Sequence, residues 1–302
     1  MLTVEQLLQR RNAIGASEAA AAVGLSPWLT PYELWCDKTG EGSPIEENEW
    51  MEWGSRLEAS ILKKYCDVHG VTPEAPCAWR VSKHFAFMGC TPDALLDDRV
   101  IEVKTARFDA PGWGEPGTEQ IPRQYYLQVV HQMIVTERAI ADVAVLFGGS
   151  RYCEYTIHCD PEIANLLIEQ ERDFWRHVEE GTPPEAVSIS DATAQWPVDL
   201  EERAVATPEI EEAVLKLHEL RLQEATLEHE IERVGVDVRK HMNLAGTLLT
   251  PEGRVLATWK TQSRQTLDIT TFKHAHPDLY KQFARPQSTR VFRLSNTEST
   301  HG

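Results

Sequence analysis

Short apolar runs between turn residues predict a group of β-strands in the first half of the chain. The runs lie at 78–81, 86–89, 94–96 and 100–103, and the dipeptides Pro92-Asp93 and Asp97-Asp98 interrupt them. A loop with several Gly and Pro residues is expected at 106–118. Two further strands are expected at 143–147, which is wholly apolar, and at 152–158, where apolar and polar residues partly alternate.

Apolar residues at helical spacing lie before and after these strands. Helices are expected at 3–11, 17–23, 30–38, 50–69, 122–135 and 161–180. Ser17 is the predicted N-cap of the second helix, and Gly40 and Gly70 are placed to end the third and fourth. The chain therefore combines helices and strands, as an α/β or α+β protein does.

The composition changes at Gly181-Thr182-Pro183-Pro184, which begins a linker. We expect a core domain over residues 1–185 and an accessory region over 186–302. The accessory region holds a long helix, 209–242, with apolar residues at heptad spacing. Either this helix is one arm of a helical hairpin packed on its own domain, or it belongs to an intermolecular coiled coil.

The basic tail of the accessory region is expected to form strands at 254–261 and 290–294. These strands flank a predicted helix at 269–283. Residues 295–302 are expected to be frayed, as chain ends often are.

The composition of the chain argues against several classes of protein. A net charge of −17 argues against a protein that coats nucleic acid, so an acidic DNA enzyme would need a local basic groove and bound metal ions. The six cysteines are scattered and form no C-x-x-C pair, which argues against a zinc site or a disulfide scaffold. No apolar run is long enough to cross a bilayer and no targeting segment is found, so a cytoplasmic protein is expected.

The stretch from Thr91 to Lys104, TPDALLDDRVIEVK, carries the candidate chemistry. Glu102 and Lys104 lie two residues apart on one strand and therefore face the same side. A hairpin with the preceding strand brings Asp93 beside them. Two carboxylates, with the Val103 carbonyl as a further oxygen ligand, suit Mg²⁺, and a lysine can orient an attacking water. The alternative is a solvent-facing hairpin with a Glu–Lys pair.

Two further polar residues fall on the neighbouring helices. Glu58, in WGSRLE, can supply another carboxylate, although a helix glutamate is more often solvated. Gln128, in YYLQVVHQM, lies on an apolar stretch and needs hydrogen-bond partners if it is buried. It is either a satisfied core amide or a group that holds the lysine or the substrate. The nearby His131 and Gln132 are expected at the surface.

A candidate anion site lies near the beginning of the chain. Arg10, Arg11 and Ser17 flank a predicted turn and helix N-terminus, where free N–H groups and the helix dipole favour a phosphate. The alternative is a plain helix cap with two surface arginines. The sequence does not decide between Arg10 and Arg11.

Taken together, these motifs resemble the YqaJ-type viral recombinase family, relatives of the lambda exonuclease within the PD-(D/E)xK nucleases. The resemblance rests on RRNAIGASEAAAAVGLSPWLTPYELW (10–35), WGSRLE, CTPD, IEVK, YYLQVVHQM and DFWRHVEEGTPP (173–184), and it continues in the tail with WKTQSRQTLD, HPDLYKQF and TRVFRL. The family usually has two glycines before the serine, where this chain has Gly15-Ala16-Ser17.

The resemblance implies a restriction-endonuclease-like core, with a mixed sheet between helices. It implies Mg²⁺-dependent 5′-to-3′ degradation of linear duplex DNA, with Mn²⁺ as a possible substitute, and a 3′ single strand as product for an annealing protein. On matching positions it assigns catalysis to Asp93, Glu102, Lys104 and Gln128, metal binding to Glu58 as well, and the 5′-phosphate to Arg10 or Arg11 with Ser17. It also implies a homo-oligomer in a bacterial or phage-infected cell.

Two other functions compete with a processive exonuclease. The first is an endonuclease of the same fold. The second is a non-catalytic interaction protein whose working part is the long helix, with the DNA-cutting core as a relic. The intact set of Asp93, Glu102 and Lys104 argues against the second.

Overall fold

The computed structural model describes residues 9–42, 48–200, 202–285 and 289–295. The strands are β1 (Ile14–Gly15), β2 (Arg80–Val81), β3 (Met88–Cys90), β4 (Ala94–Leu95), β5 (Arg99–Ala106), β6 (Ile140–Phe147), β7 (Arg151–His158), β8 (Thr247–Leu249) and β9 (Val255–Thr258). The α-helices are α1 (Ala19–Ala22), α2 (Pro31–Thr39), α3 (Glu49–His69), α4 (Arg123–Thr136), α5 (Pro161–Glu180), α6 (Ile189–Gln195), α7 (Pro208–Met242), α8 (Ile269–Ala275) and α9 (Pro277–Phe283). The chain forms two compact units, Met1–Gln195 and Trp196–Gly302.

A four-stranded mixed sheet in the order β4-β5-β6-β7 lies at the centre of the first unit. The β4–β5 and β6–β7 pairs are antiparallel, whereas β5 and β6 are parallel. A second sheet, in the order β1-β3-β2, lies in the same unit. The expected mixed sheet flanked by helices is therefore confirmed.

The alternation of side chains along β5 directs its residues to opposite faces of the sheet. Ile101 and Val103 pack in a buried cluster with Ile61 and Tyr65 of α3. On the other face, Val100 belongs to the larger core that includes residues of α4. Glu102 and Lys104 share the face of Val100, so they point toward α4.

The expected helices at 30–38, 50–69, 122–135 and 161–180 are confirmed as α2, α3, α4 and α5. Gly40 and Gly70 adopt left-handed conformations at the ends of α2 and α3, as expected, because a residue without Cβ tolerates positive φ. The helix expected at 3–11 lies mostly outside the described residues, of which 9–11 are helical.

Other local expectations were wrong. The helix expected at 17–23 is a 3₁₀ turn, Ala16–Glu18, followed by the single turn α1, and Gly15 rather than Ser17 is its N-cap. Residues 290–294 form no strand. The helix expected at 269–283 is broken between α8 and α9, where Pro277 cannot continue the hydrogen bonds of α8.

In the second unit, α7 is a continuous helix that includes Gly235. Met242 is its one buried residue among those described. The burial that a helical hairpin would give to its heptad positions is therefore not seen. β8 and β9 form an antiparallel hairpin beyond it. Within the described residues, no helix is both long and apolar enough to span a membrane.

Candidate active site

The β4–β5 hairpin brings Asp93 to Glu102 and Lys104, as the sequence predicted. Asp93 lies immediately before β4, and the antiparallel register pairs Ala94 with Ile101. The Val103 N–H donates a 2.6 Å hydrogen bond to Asp93 Oδ2. This bond joins the carboxyl group of Asp93, before β4, to the backbone of β5. It therefore holds Asp93 close to Glu102, which precedes Val103 on β5.

Glu102 is the centre of the polar cluster, with 3 % of its surface exposed. Its Oε1 accepts hydrogen bonds from Lys104 Nζ and from Gln128 Nε2, both at 2.5 Å. Its Oε2 accepts a 2.7 Å bond from Gln132 Nε2. Both oxygens are thus held in place, and one of their partners is the positively charged ammonium of Lys104.

Gln132 and His131 are buried, so the expectation of a surface position was wrong for both. Gln132 follows Gln128 by four residues, and this spacing places both amides on one face of α4. That spacing is the sequence signal that could have indicated Gln132 as a second partner of Glu102. Gln128 is buried as well, and Glu102 supplies the hydrogen-bond partner that a buried amide needs.

His131 belongs to a different buried pair, on the side of α4 that meets α5. Its Nε2 lies 3.0 Å from the carbonyl of Gly89, which only accepts, so Nε2 carries a proton. Its Nδ1 lies 2.8 Å from Glu171 Oε1. The pair therefore holds a second proton between Nδ1 and the carboxyl group, and it ties β3, α4 and α5 together.

The carboxyl groups around Lys104 destabilise one another's charged forms. Burial raises the pKa of Asp93 well above its ordinary value and Glu102 raises it further, whereas Lys104 and the Val103 N–H act in the opposite direction. Burial also raises the pKa of Glu58, again with a contribution from Glu102 and opposed by Lys104. At both Asp93 and Glu58, the negative charge of Glu102 therefore changes the pKa more than the positive charge of Lys104 does.

Lys104 remains a cation in this environment. Burial by itself would lower the pKa of its ammonium group, but the Glu102 and Asp93 carboxylates outweigh that effect and raise it. The Lys104 Nζ also lies 5.2 Å from the centroid of the Tyr125 ring. Because the ammonium group carries a full positive charge here, it can bind a phosphate oxygen.

The site opens into a cavity of about 1880 Å³ in the first unit. Its walls include all the predicted site residues except Arg11, namely Arg10, Ser17, Glu58, Asp93, Glu102, Val103, Lys104 and Gln128. Arg11 is exposed, and its guanidinium group lies near Gly40. Of the two arginines that the sequence left open, the cavity therefore contains Arg10.

Two residues that the sequence did not indicate hold the turn that carries Arg10. The Lys38 Nζ donates a 2.7 Å hydrogen bond to the Arg10 carbonyl and forms a 2.5 Å ion pair with Glu18 Oε2. The same Glu18 oxygen accepts a 2.6 Å bond from the Gly15 N–H. Glu18 therefore caps the turn in place of Ser17. With only one turn in α1, a helix dipole adds little, so an anion at this place would depend mainly on the positive charge of Arg10.

The Arg10 side chain has one hydrogen-bond donor that is not used within the described part of the chain. Its Nε is buried and lacks a hydrogen-bond partner among the residues that the structure describes. A buried, unpaired N–H is unfavourable, so a phosphate or another anion in the cavity would stabilise it.

Residues 5–139 match the family profile of the YqaJ-like viral recombinase domain. The chain is 27 % identical over 310 aligned residues to the protein YqaJ of Bacillus subtilis (strain 168), with 95 % of this chain and 92 % of that protein covered. Among solved structures, it is similar to an alkaline exonuclease from Laribacter hongkongensis (TM-score 0.47, 19 % identity, 59 % of this chain and 94 % of that one). It is also similar to a phage-related exonuclease from Haemophilus somnus 129PT (TM-score 0.43, 13 % identity, 56 % of this chain and 96 % of that one).

The matched segment spans the β4–β5 hairpin together with α3 and α4, and it therefore contains every residue around Glu102 described above. Residues 5–139 of this chain, including those around Glu102, are therefore similar to the YqaJ-like viral recombinase domain.

Proposed function

We propose that this chain is a Mg²⁺-dependent nuclease that degrades linear duplex DNA from the 5′ end and leaves a 3′ single strand. The observation that carries the proposal is the arrangement at β5. Asp93, Glu102 and Lys104 meet at the wall of one cavity, and Glu58 lines the same wall. This set of carboxylates and one lysine is what metal-assisted phosphodiester hydrolysis needs.

The donor set suits a hard divalent cation. Asp93, Glu102 and Glu58 offer carboxylate oxygens and Val103 offers a carbonyl, and Mg²⁺ prefers oxygen ligands. The pKa values of Asp93 and Glu58 are raised chiefly by burial and secondly by the charge of Glu102, and a bound cation would offset both effects. When bound, Mg²⁺ would lower the pKa of a coordinated water and offset charge on the scissile phosphate, and Mn²⁺ could replace it.

Ligand binding would require a rearrangement of side chains. As they stand, no three His, Cys, Asp or Glu side chains in the described part of the chain form a group that could hold a metal ion. Glu102 Oε1 is bonded to Lys104. If Glu102 held a cation, Lys104 Nζ would have to leave this oxygen, and its ammonium group could then bind the phosphate or the attacking water.

The glutamines of α4 keep Glu102 in position during such an exchange. Gln128 donates to Oε1 and Gln132 to Oε2, so the carboxylate stays oriented when Lys104 leaves. Their neutral amides add no charge that would compete with a cation. We assign Lys104 to water and phosphate orientation, and both glutamines to positioning of Glu102.

The position of Arg10 in the same cavity supports a 5′ polarity. A guanidinium group binds a terminal phosphate strongly, because the hydrogen bonds are charge-assisted. Ser17, exposed at the cavity wall, is the second candidate for contact with this phosphate. An end held there would present a phosphodiester bond to Lys104.

The biological setting follows from the proposed product. A 3′ single strand is a substrate for a strand-annealing protein, so we propose such a partner. The reaction would take place in the cytoplasm of a bacterial or phage-infected cell, without a membrane.

The test is digestion of linear, 5′-phosphorylated duplex DNA with Mg²⁺ or EDTA by the wild type, Lys104→Ala and the matched control Lys63→Ala. Lys63 is exposed on α3 and pairs with Asp67, away from the cluster. We expect metal-dependent loss of one strand from its 5′ end, absent in Lys104→Ala and unchanged in Lys63→Ala. Binding without cleavage under any divalent metal would instead support an interaction protein.

A covalently closed plasmid separates the two kinds of nuclease. An exonuclease leaves it intact because it has no end, whereas an endonuclease of the same fold cuts it. Cleavage of the closed circle at a rate similar to that of the linear duplex would rule out the 5′-end mechanism.

A further inference from the structure

Trp28 is a large aromatic residue that lines the cavity while 67 % of its surface stays exposed. Its backbone is held in place, since Ser26 Oγ accepts hydrogen bonds from the N–H groups of Trp28 and Leu29, at 3.2 and 3.3 Å. The backbone that carries the indole is therefore held at the cavity wall.

Trp28 is joined to Lys104 through one aromatic ring. The ring centroids of Trp28 and Tyr125 are 6.1 Å apart, with 40° between their planes. Tyr125 also contacts the Lys104 ammonium group, whose Nζ lies 5.2 Å from the centroid of the ring. Trp113 supports Tyr125 at a centroid distance of 5.6 Å. An aromatic series thus leads from the phosphate-orienting lysine to an exposed indole.

We propose that Trp28 is the stacking site for an unpaired nucleobase at the DNA end, beside the phosphate that Lys104 binds. This inference rests on the proposed nuclease function. Every base has a π-face, so stacking on an indole holds a nucleotide without reading its sequence. A nuclease that degrades a strand from its end needs contacts of this kind.

The experiment measures binding in EDTA, where no cleavage can occur. Labelled 5′-phosphorylated duplexes with two unpaired 5′ nucleotides, either thymidines or abasic sites, are titrated with wild type, Trp28→Ala, Trp28→Phe and Trp196→Ala. Trp196 is an exposed tryptophan of the second unit and serves as the control. Fluorescence anisotropy gives the dissociation constants.

We expect the wild type and Trp196→Ala to bind the thymidine end about 10-fold more tightly than the abasic end, as base–aromatic stacking predicts. Trp28→Ala should lose this preference and Trp28→Phe should retain part of it, with thermal unfolding unchanged. Equal binding of the two ends by the wild type, or an unaltered preference in Trp28→Ala, would overturn the inference. If the wild type did not cleave DNA but still bound the thymidine end more tightly than the abasic end, only the nuclease proposal would be overturned.

A second observation, independent of the first, concerns the apolar heptad positions of α7, which are exposed except for the half-buried Leu217. Ile210, Leu217, Ile231 and Val238 share one heptad position, and Leu220, Leu227 and Val234 share another on the same side of the helix. Ile210 and Ile231 are 55 % and 70 % exposed. An apolar stripe of this length on a 35-residue helix needs a covering surface.

The charges beside the stripe match a second copy of α7 in the antiparallel direction. Consider two antiparallel copies of α7 aligned so that Glu224 of one lies opposite Leu227 of the other. In this register Lys216 of one copy lies beside Asp237 of the other, and Arg221 lies beside Glu228. The two-fold symmetry of the pair gives each of these contacts twice. A parallel pairing would instead put Lys216 beside Arg221 and Glu224 against its own copy. The acidic first turn and the basic last turn of α7 also favour the antiparallel direction.

We infer that two chains associate through an antiparallel coiled coil of α7. The test is the mass of the full chain in solution, measured by light scattering at low salt. We expect a dimer for the wild type and monomers for Lys216→Asp combined with Arg221→Glu. Addition of Asp237→Lys and Glu228→Arg should restore the dimer. A monomeric wild type, or association that is unaffected by the charge reversals, would overturn the inference.

Discussion

Gln132 Nε2 donates its 2.7 Å hydrogen bond to the Glu102 oxygen that Lys104 and Gln128 leave free. The Gln132 Oε1, at the other end of the amide, is buried and unpaired among the described residues. An unpaired buried acceptor costs about 1–3 kcal/mol. This cost favours the interpretation that Gln132 positions Glu102 rather than stabilises the core.

Replacement of Gln132 by Leu should separate these two effects. We expect the thermal midpoint to change little, because the unpaired Gln132 Oε1 disappears while Glu102 Oε2 loses its hydrogen bond. The cleavage rate should fall about 10- to 100-fold, as is typical when a residue that orients a metal ligand is lost. The control is Gln170→Leu, an exposed position on α5. A lower midpoint together with full activity would mean that Gln132 is purely structural.

The raised pKa of Asp93 predicts a pH dependence of stability in metal-free protein. A carboxyl group whose pKa is higher in the folded state binds its proton more tightly there than in the unfolded chain. Its contribution to folding is therefore present below the unfolded value, near about 3.9, and is lost as pH rises toward the raised folded value. At neutral pH Asp93 therefore contributes less to folding than it does in acid.

Asp93→Asn removes this charge and keeps an oxygen for the Val103 N–H. We expect its thermal midpoint in EDTA to exceed that of the wild type at pH 7 and to approach it below about pH 4. The exposed Asp67 gives the matched control, Asp67→Asn. Saturating Mg²⁺ should raise the midpoint of the wild type but not that of Asp93→Asn, because a ligand stabilises only the state that binds it. A midpoint difference that does not vary with pH would contradict this account.

The β4–β5 hairpin was predictable because its geometry is local. Alternation along one strand and a tight turn suffice to place Asp93 beside Glu102 and Lys104. The helices were predictable for the same reason, since spacing, caps and glycine termini lie within the element. By contrast, 290–294 has the composition of a strand, but pairing needs a partner that a local pattern does not provide.

The supports of the site were not predictable from local patterns. The Lys38–Glu18 pair joins residues twenty positions apart, and His131 meets Glu171 forty positions away. His131 and Gln132 are buried because α5 and the sheet both pack on α4. The spacing of apolar residues along the chain does not reveal this packing. The capping role of Glu18 instead of Ser17 likewise depends on Lys38.

The His131–Glu171 pair predicts a large structural effect away from the site. Both side chains are fully buried, so His131→Ala would leave an acidic group with no partner for Oε1. We expect a loss of about 3–5 kcal/mol in the free energy of unfolding, measured in urea. The double variant His131→Leu, Glu171→Met should recover most of this loss, because apolar side chains can replace a buried pair. A single variant that costs less than about 1 kcal/mol would show that water reaches Glu171.

The two arginines near the N-terminus should differ in their effect on end recognition. Arg10 lines the cavity and has an unpaired Nε, whereas Arg11 is exposed and outside it. Arg10→Ala should reduce the preference for a 5′-phosphate over a 5′-hydroxyl end about 10- to 100-fold, since a charge-assisted hydrogen bond is lost. Arg11→Ala is the matched control and should keep the preference, because its guanidinium group does not reach the end. Initial rates on the two kinds of end, compared for each variant, give this ratio directly. If both substitutions reduced the preference equally, the effect would come from the general positive charge of this region and not from a phosphate bound by Arg10. If the wild type degraded both kinds of end at the same rate, the proposal of a phosphate site would be wrong.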